Sequence, residues 1–356
     1  MSVTIHEIAQ ECGVSIATVS RVLNGSQAVA PQTRQRVREA IDRYGYSPNA
    51  LARSLVARHS MTLGVITPDI SNPYFSAVFS EIERAALQAG YSVFLCNTFY
   101  ASPAHAQQEG LKSEEEYFQI MMEKKVDGVL IIGGQIDLIQ ASPAYHQALK
   151  RLAKAIPAVV IGKPLPGVDC VFIERETGSG VSTAVNHLVS LGHRRIAFVG
   201  GEDGVTITET RLAAWRGTLQ ALGLPSDDGL VALSDYYIDD GYRAAAALMD
   251  SGANFTAMLA INDNVAMGAI RAFADRGLSV PGDVAVVSCD QFFYADYSLP
   301  RLTSVDQHNP QFGKLVIQVL LCAIKGVSEP VKLNHTPELV VRESCGSQNH
   351  PRKETP

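Results

Sequence analysis

Ala17, Ser20, Arg21 and Asn24 stand at relative positions i, i+3, i+4 and i+7, a spacing that sets them on one helical face and leaves Val19, Val22 and Leu23 on the other. An arginine presented in this way can pair its planar guanidinium with O6 and N7 of guanine, a contact worth about 1–3 kcal/mol of base discrimination. Ile16 and Ala17, at the start of the same helix, offer apolar contact to a thymine methyl. Ser15, Thr18, Ser20 and Asn24 offer hydroxyl and amide groups to phosphate. No comparable set supports catalysis. The chain has no G-x-S-x-G elbow, no G-x-x-x-x-G-K-[ST] loop and no H-E-x-x-H, and Gly200-Gly201-Glu202-Asp203-Gly204 lacks dinucleotide-binding spacing. The six cysteines, at 12, 96, 170, 289, 322 and 345, form no C-x-x-C pair. That usage predicts buried free thiols in a reducing compartment, without a metal, a disulfide framework or a cofactor.

The elements that would hold the polar face are short. Thr4-Ile5-His6-Glu7 reads as a capping box, with Ile5, Ile8, Ala9 and Cys12 following at helical spacing until Gly13 breaks the helix. Ser15 can cap a second helix, Ile16 to Leu23, which stops at Asn24-Gly25. Pro31 opens a third helix with an apolar stripe of Val37, Ala40, Ile41 and Tyr44. A short helix, a glycine turn and a second helix with a polar face predict a helix-turn-helix, whose second helix enters the major groove. Ser47 as cap and Pro48 at the first position then announce a fourth helix of about two turns, too short to be stable alone in water.

From residue 61 the pattern changes to apolar β-branched runs separated by amphipathic stretches. Four runs, Leu63–Ile66, Tyr91–Leu95, Gly128–Ile132 and Ala158–Ile161, form one array. A second comprises Cys170–Ile173, Ile196–Val199, Met258–Ile261 and Val284–Val287. Each array predicts a parallel sheet with helices on both faces, and two in one body predict two lobes with a ligand cleft at the carboxyl ends of their strands. Gln291 onward, through Leu302–Asp306 and a helix near 310 to 325, is expected to cross back between lobes. Tyr100 to Glu116 reads as a surface loop.

At 356 residues the chain predicts two to three domains. Its net charge of −6 is unevenly divided: residues 1–60 hold seven arginines, no lysine and four acids, giving +3, and the remainder carries −9. A basic module that meets a polyanion, joined to an acidic body that does not, fits this division. No apolar stretch is long enough to span a membrane, and Met1-Ser2-Val3-Thr4 lacks the basic start and apolar core of a signal sequence, so a cytoplasmic location is expected.

Thr4-Ile5 through Asn24-Gly25, together with Tyr46-Ser47-Pro48-Asn49-Ala50-Leu51-Ala52-Arg53-Ser54-Leu55, closely resembles the headpiece and hinge of the LacI/GalR family of bacterial transcription factors, and the resemblance extends over nearly the whole chain. It implies a small all-α helix-turn-helix headpiece with a hinge helix, followed by an α/β two-lobed, periplasmic-binding-protein-like body of two doubly wound parallel sheets. The implied boundaries are 1–46 for the headpiece, 47–60 for the hinge and linker, and 61–346 for the body. Within the body, lobe 1 would take about 61–162 and 291–325, lobe 2 would take 163–290 and 326–346, and 347–356 would form a disordered tail. The implied DNA-contacting set is Thr4, Ser15, Ile16, Ala17, Thr18, Ser20, Arg21, Asn24 and Leu55. Leu55 is either the wedge that unstacks a central base step or a core leucine of the body.

For the body the resemblance implies effector contacts from Asn72 and Phe75 of the Asn72-Pro73-Tyr74-Phe75 segment, and from Arg211, Tyr236, Asn262, Asp263 and Asp290. Tyr74 is equally open to packing. Arg211 is weighed against a surface ion pair, Tyr237 competes with Tyr236, and Asp263 or Asp290 could cap the following segment instead. Where many members carry an acid after the strand at 158–161, this chain has Gly162-Lys163-Pro164, similar to regulators of maltose-type oligosaccharides. Lys163 either binds sugar hydroxyls or is solvated. Together these readings predict a homodimeric, cytoplasmic repressor without membrane or cofactor, whose partners are double-stranded operator DNA and a small effector, a mono- or oligosaccharide. The rival classes are an α/β enzyme and a sugar-binding protein without a regulatory role.

Overall fold

The structure is a computed structural model that describes residues 3–23, 26, 28–46, 59–98, 112–327 and 336–347. It divides into two units, Met1–Met61 and Thr62–Pro356. Asn24, Ser47, Pro48 and Leu55, and with them the expected hinge helix and the end of the tail, lie outside the described residues.

In the first unit, local chemistry sets the helix ends. Thr4 caps α1 (Ile5–Glu11) by accepting from the Glu7 N–H, while Glu7 Oε2 takes the Thr4 N–H at 2.7 Å. α2 runs Ile16–Leu23, and α3 (Pro31–Tyr44) starts on its proline and ends on Gly45 at φ +57°, a left-handed position that glycine occupies without strain. Ile8, Ala9, Cys12, Val19, Val22, Val29, Val37 and Ala40 form the small core. Tyr44, expected on the apolar stripe, is 44% exposed instead.

The second unit holds two sheets. The first runs β1 (Thr62–Thr67), α4 (Pro73–Gln88), β2 (Ser92–Asn97), α5 (Glu114–Lys124), β3 (Gly128–Ile132), α6 (Pro143–Ala155), β4 (Ala158–Ile161) and β5 (Val171–Ile173). The second continues through α7 (Gly178–Ser190), β6 (Ile196–Val199), α8 (Thr206–Ala221), β7 (Val231–Ala232), α9 (Ile238–Asp250), β8 (Ala257–Ala260), α10 (Asp263–Asp275), β9 (Ala285–Ser288) and β10 (Thr303–Asp306). Then come α11 (Asn309–Ile324) and β11 (Glu338–Val340). Strand order is β2-β1-β3-β4-β5 in one sheet and β11-β10-β9-β8-β6-β7 in the other, parallel throughout except for antiparallel β11. Both orders reverse direction once, at β1/β3 and at β6/β8, and ligands bind outside the strand ends at such switch points.

Three sequence-based boundaries need correction. Val171–Ile173 pairs with β4 and closes the first sheet rather than opening the second, so lobe 1 extends past residue 162. Thr303–Asp306 pairs with β9, so residues 291–306 stay with lobe 2 and the crossing occurs between Asp306 and Asn309. Ser113–Glu116 is not loop but the capping box of α5, with Ser113 Oγ accepting from the Glu116 N–H and Glu114 buried. Residues 99–111 of that stretch lie outside the described residues.

Each sheet owes part of its core to late residues. α11 buries Phe312, Val316, Ile317 and Leu320 against Leu63, Val65 and Leu130 of the first sheet. Leu302, Val305 and Cys345 join the core of the second. Cys12, Cys96, Cys289 and Cys345 are buried free thiols, while Cys170 and Cys322 are half-buried. No helix among the described residues is long and apolar enough to cross a membrane.

α9 and α10 meet backbone to backbone. A β-carbon at Gly268 would overlap the Ile238 carbonyl oxygen and lie 2.6 Å from the Tyr242 nitrogen, and one at Gly241 would press on the Val265 backbone. Backbone cannot rotate aside as a side chain can, so the Gly268→Ala variant should be destabilised by at least about 1–3 kcal/mol. Urea unfolding of that variant against wild type measures the loss.

Candidate functional site

The first unit presents the polar surface of α2. Ile16, Ala17 and Arg21 are exposed, as is Ser15, while Thr18 and Ser20 are half-buried and Val19 and Val22 face the core. Ser15 Oγ takes the Thr18 N–H at 3.2 Å and lies 2.9 Å from the Thr18 hydroxyl, so the two side chains order the helix start and one another. Thr4 is exposed at the end of α1 with its hydroxyl engaged by Glu7. The Thr4 hydrogen bonds hold the Glu7 carboxyl below its ordinary range. Not every arginine of this unit is open to a polyanion. Arg34 donates to the Ser26 and Val29 carbonyls, closing the turn before α3, and Arg43 pairs with Glu11 at 3.1 Å.

In the second unit, both switch points open on one cleft of about 540 Å³, within the size range of small-molecule sites. Asn72, Phe75 and Lys163 of lobe 1 line it together with Arg211, Tyr236, Asn262 and Asp290 of lobe 2. Asn72 caps α4, its Oδ1 accepting from the Tyr74 N–H at 3.0 Å. Phe75 lies against the turn after β3, where a β-carbon on Gly133 would come within 2.8 Å of its ring. Tyr74, edge-on to Phe75 at 4.9 Å, also lines the cleft. Lys163 stands exposed at the rim.

Arg211 is 3% exposed and forks onto Asp290 at 2.7 and 3.0 Å, with a further bond of 2.6 Å to the Ile261 carbonyl. Burial opposes the charged guanidinium, but the adjoining Asp290 carboxylate outweighs it and raises the pKa. The pair is thus a buried bridge rather than a surface one. Asn262 caps α10 through Val265 and donates to the Tyr236 carbonyl at 3.0 Å. The Tyr236 hydroxyl shares a 2.7 Å hydrogen bond with Thr208. Tyr237 lines the cleft beside it and reaches across to lobe 1, donating to Asp69 at 2.5 Å.

Asp263 is the exception. It is fully buried and absent from the lining, and its oxygens accept from the Phe292 N–H at 2.7 Å and the Ser304 hydroxyl at 2.8 Å. Burial pushes its pKa up to about 7. It fastens the segment after β9 to β10, and the cap of the following helix is Asn262 rather than Asp263.

Two cleft residues carry no signal in the sequence. Arg175, just past β5, donates to the Gln307 carbonyl at 2.5 Å and to Asn309 Oδ1 at 2.8 Å, and lies over the Phe312 ring at 4.3 Å. It thereby ties the crossing after β5 to the one after β10. Asp137 closes a short 3-10 turn, Gly134–Asp137, and reaches the cleft lining. Leu138 and Val205 form a bridge from that turn to lobe 2, and the Ile139 N–H donates to the Gly204 carbonyl at 2.9 Å.

Residues 4–49 match the family described as "Bacterial regulatory proteins, lacI family", and residues 185–345 match a periplasmic binding protein-like domain. The chain is 35% identical over 353 residues to the HTH-type transcriptional regulator MalR of Streptomyces coelicolor, covering 98% of each. Among solved structures it is similar to a lac repressor dimer bound to operator and the anti-inducer ONPF, with a TM-score of 0.84, 26% identity and coverage of 97% and 99%. It is also similar to a complex of the transcriptional regulator CelR with cellobiose, with a TM-score of 0.69, 29% identity and coverage of 96% and 99%.

Behind the Gly134–Asp137 turn, Glu114 is 3% exposed; its Oε1 accepts the Gln135 N–H at 2.7 Å while Oε2 has no partner. Burial pushes its pKa up from 4.5 to about 8. The unfolded chain therefore loses this proton first, and the stability that Glu114 contributes, complete below pH 4.5, disappears as pH rises through about 8. Glu114→Gln keeps the acceptor and removes the titration. Its melting temperature should exceed wild type by ~2–4 °C or more at pH 9 and match it near pH 4, as read by thermal unfolding across pH.

Proposed function

Because the chain belongs to the LacI family of bacterial regulatory proteins, we propose that it is a sequence-specific DNA-binding transcription regulator, a repressor, whose operator affinity is controlled by a small carbohydrate held in the cleft of its body. The observation that carries this reading is the pairing of two separate units. One exposes Ile16, Ala17 and Arg21 on a helix of a three-helix core, and the other holds a cleft at the switch points of two sheets.

In this reading Arg21 pairs with a guanine edge and Ile16 and Ala17 touch apolar base edges, while Thr4, Ser15, Thr18, Ser20 and Asn24 meet phosphates. Leu55 is the minor-groove wedge. The sugar lies against Phe75 and Tyr236, with Asn72, Lys163, Asn262 and the fixed Arg211–Asp290 pair as hydroxyl partners. The cellobiose complex of CelR and the likeness to MalR support an oligosaccharide, as does Gly162-Lys163-Pro164.

A homodimer follows from half-site reading, since one recognition helix addresses half of a two-fold operator. The dimeric lac repressor supports it, and so do Phe293, Tyr297 and Leu299, which stay 82%, 86% and 92% exposed in one apolar segment. The protein acts in the cytoplasm without enzymatic activity. Sugar and DNA are coupled through one equilibrium of lobe arrangements, and a near-complete switch requires about 5.5 kcal/mol of differential affinity.

In mobility-shift titrations with genomic fragments, the full chain should give specific retardation that weakens with salt. Arg21→Ala should lose about 1–3 kcal/mol of operator affinity with an unchanged melting temperature, and wild-type affinity in that variant would sink the helix assignment. In thermal-shift screening against mono- and disaccharides, a true effector at about 100 times its Kd should add about 2.7 kcal/mol of stability. Absence of a shift with every sugar would overturn the carbohydrate assignment.

A further inference from the structure

We propose that Asp137 is a second hydroxyl-binding carboxylate of the cleft, beside Asp290, and that it selects an uncharged polyhydroxylic effector against a phosphorylated one. The proposal deepens the carbohydrate reading above and rests on it.

Asp137 is held rigidly. The turn that carries it is pinned from behind by the Glu114 carboxylate on the Gln135 N–H, and from the side by the Ser142 hydroxyl on Gln135 Oε1 at 2.9 Å. A β-carbon on Gly134 would overlap Glu114, and one on Gly162 would come within 2.6 Å of Ile136. The space beside Gly162 is thus filled by Ile136, and the next residue of the same turn brings a carboxylate into the cleft.

Its acceptor capacity is free. Among the described residues no N–H or hydroxyl donates to the Asp137 carboxylate, whereas Asp290 is forked by Arg211 and Asp69 accepts from Ser71 and the Tyr237 hydroxyl. A carboxylate accepts from two adjacent hydroxyls at once, and such charge-assisted bonds are about twice as strong as neutral ones. Burial makes its charge costly, pushing the Asp137 pKa up to about 7. Hydroxyls of a bound sugar would relieve it.

The cleft is poorly suited to phosphate. Six acidic and three basic side chains line it. Of the basic ones, Arg211 is neutralised by Asp290 and Arg175 is directed at Gln307 and Asn309, leaving Lys163 at the rim. A dianion would meet Asp137 without a buried cation to balance it.

Isothermal titration calorimetry of the full chain with maltose, cellobiose, trehalose and glucose 6-phosphate tests this, with Asp137→Asn and Asp137→Ala beside wild type. At least one neutral sugar should bind wild type at least about tenfold more tightly than glucose 6-phosphate, and both variants should lose about tenfold or more for that sugar. Their melting temperatures without sugar should not fall below wild type. A sugar that binds the variants within about twofold of wild type overturns the role of Asp137 and leaves the carbohydrate reading intact. Preferred binding of glucose 6-phosphate overturns the selectivity. If none of the three neutral sugars binds wild type, the carbohydrate reading and this inference fall together.

Discussion

A guanidinium and a carboxylate removed from water each lose hydration worth several kcal/mol, and only close mutual contact offsets it. Arg211 and Asp290 meet that condition with two parallel bonds, and the Ile261 carbonyl takes a third. These bonds join the first turns of α8, the end of β8 and the end of β9 at the floor of the cleft. The lobe-2 wall can therefore be polar without being loose. Asp263 repeats the device one layer deeper, fastening the Phe292 N–H and Ser304. Polar side chains fix the strand ends here, whereas apolar packing fixes the strands themselves.

The two lobes are linked by a few contacts of a different kind. Arg175 holds the crossing after β10 while stacking on Phe312, so two of the connections meet at one side chain. Farther out, the Tyr237–Asp69 bond and the Ile139–Gly204 bond span the cleft. A ligand that favours these spanning bonds shifts the lobes by its differential affinity and by nothing more. Because the turn bearing Asp137 runs directly into the Leu138–Val205 bridge, the lobe contact and the lining of the cleft are continuous in sequence.

Elements with strong local chemistry were legible in the sequence. The Thr4 capping box, Pro31 and the apolar runs at 63–66, 128–132, 158–161 and 196–199 locate helices and strands to within a residue or two. What local chemistry could not show was allegiance. Val171–Ile173 is as apolar as any strand, and whether it pairs with β4 or β6 depends on long-range packing. At the site, family likeness pointed to Arg211, Tyr236, Asn262, Asp263 and Asp290; the first three and Asp290 line the cleft while Asp263 faces the core, because a carboxylate after a strand looks alike in sequence whichever way it faces. Arg175 and Asp137 went unseen, since a residue in a crossing or a four-residue turn has no periodicity to betray it.

Both lobes depend on residues far along the chain. The first sheet is covered by α11, and the second takes β10, β11 and Cys345 into its structure. On a ribosome, where synthesis proceeds at about 5–20 residues per second and domains fold as units, the three-helix unit has all its core residues from Ile8 to Ala40 almost at once. Neither lobe is complete until nearly the whole body has emerged. For much of its synthesis, each nascent chain can hold a finished three-helix unit on an unfinished body, and the face of the first sheet that α11 will cover and the unpaired edge of β9 are the surfaces a chaperone would have to shield in that interval.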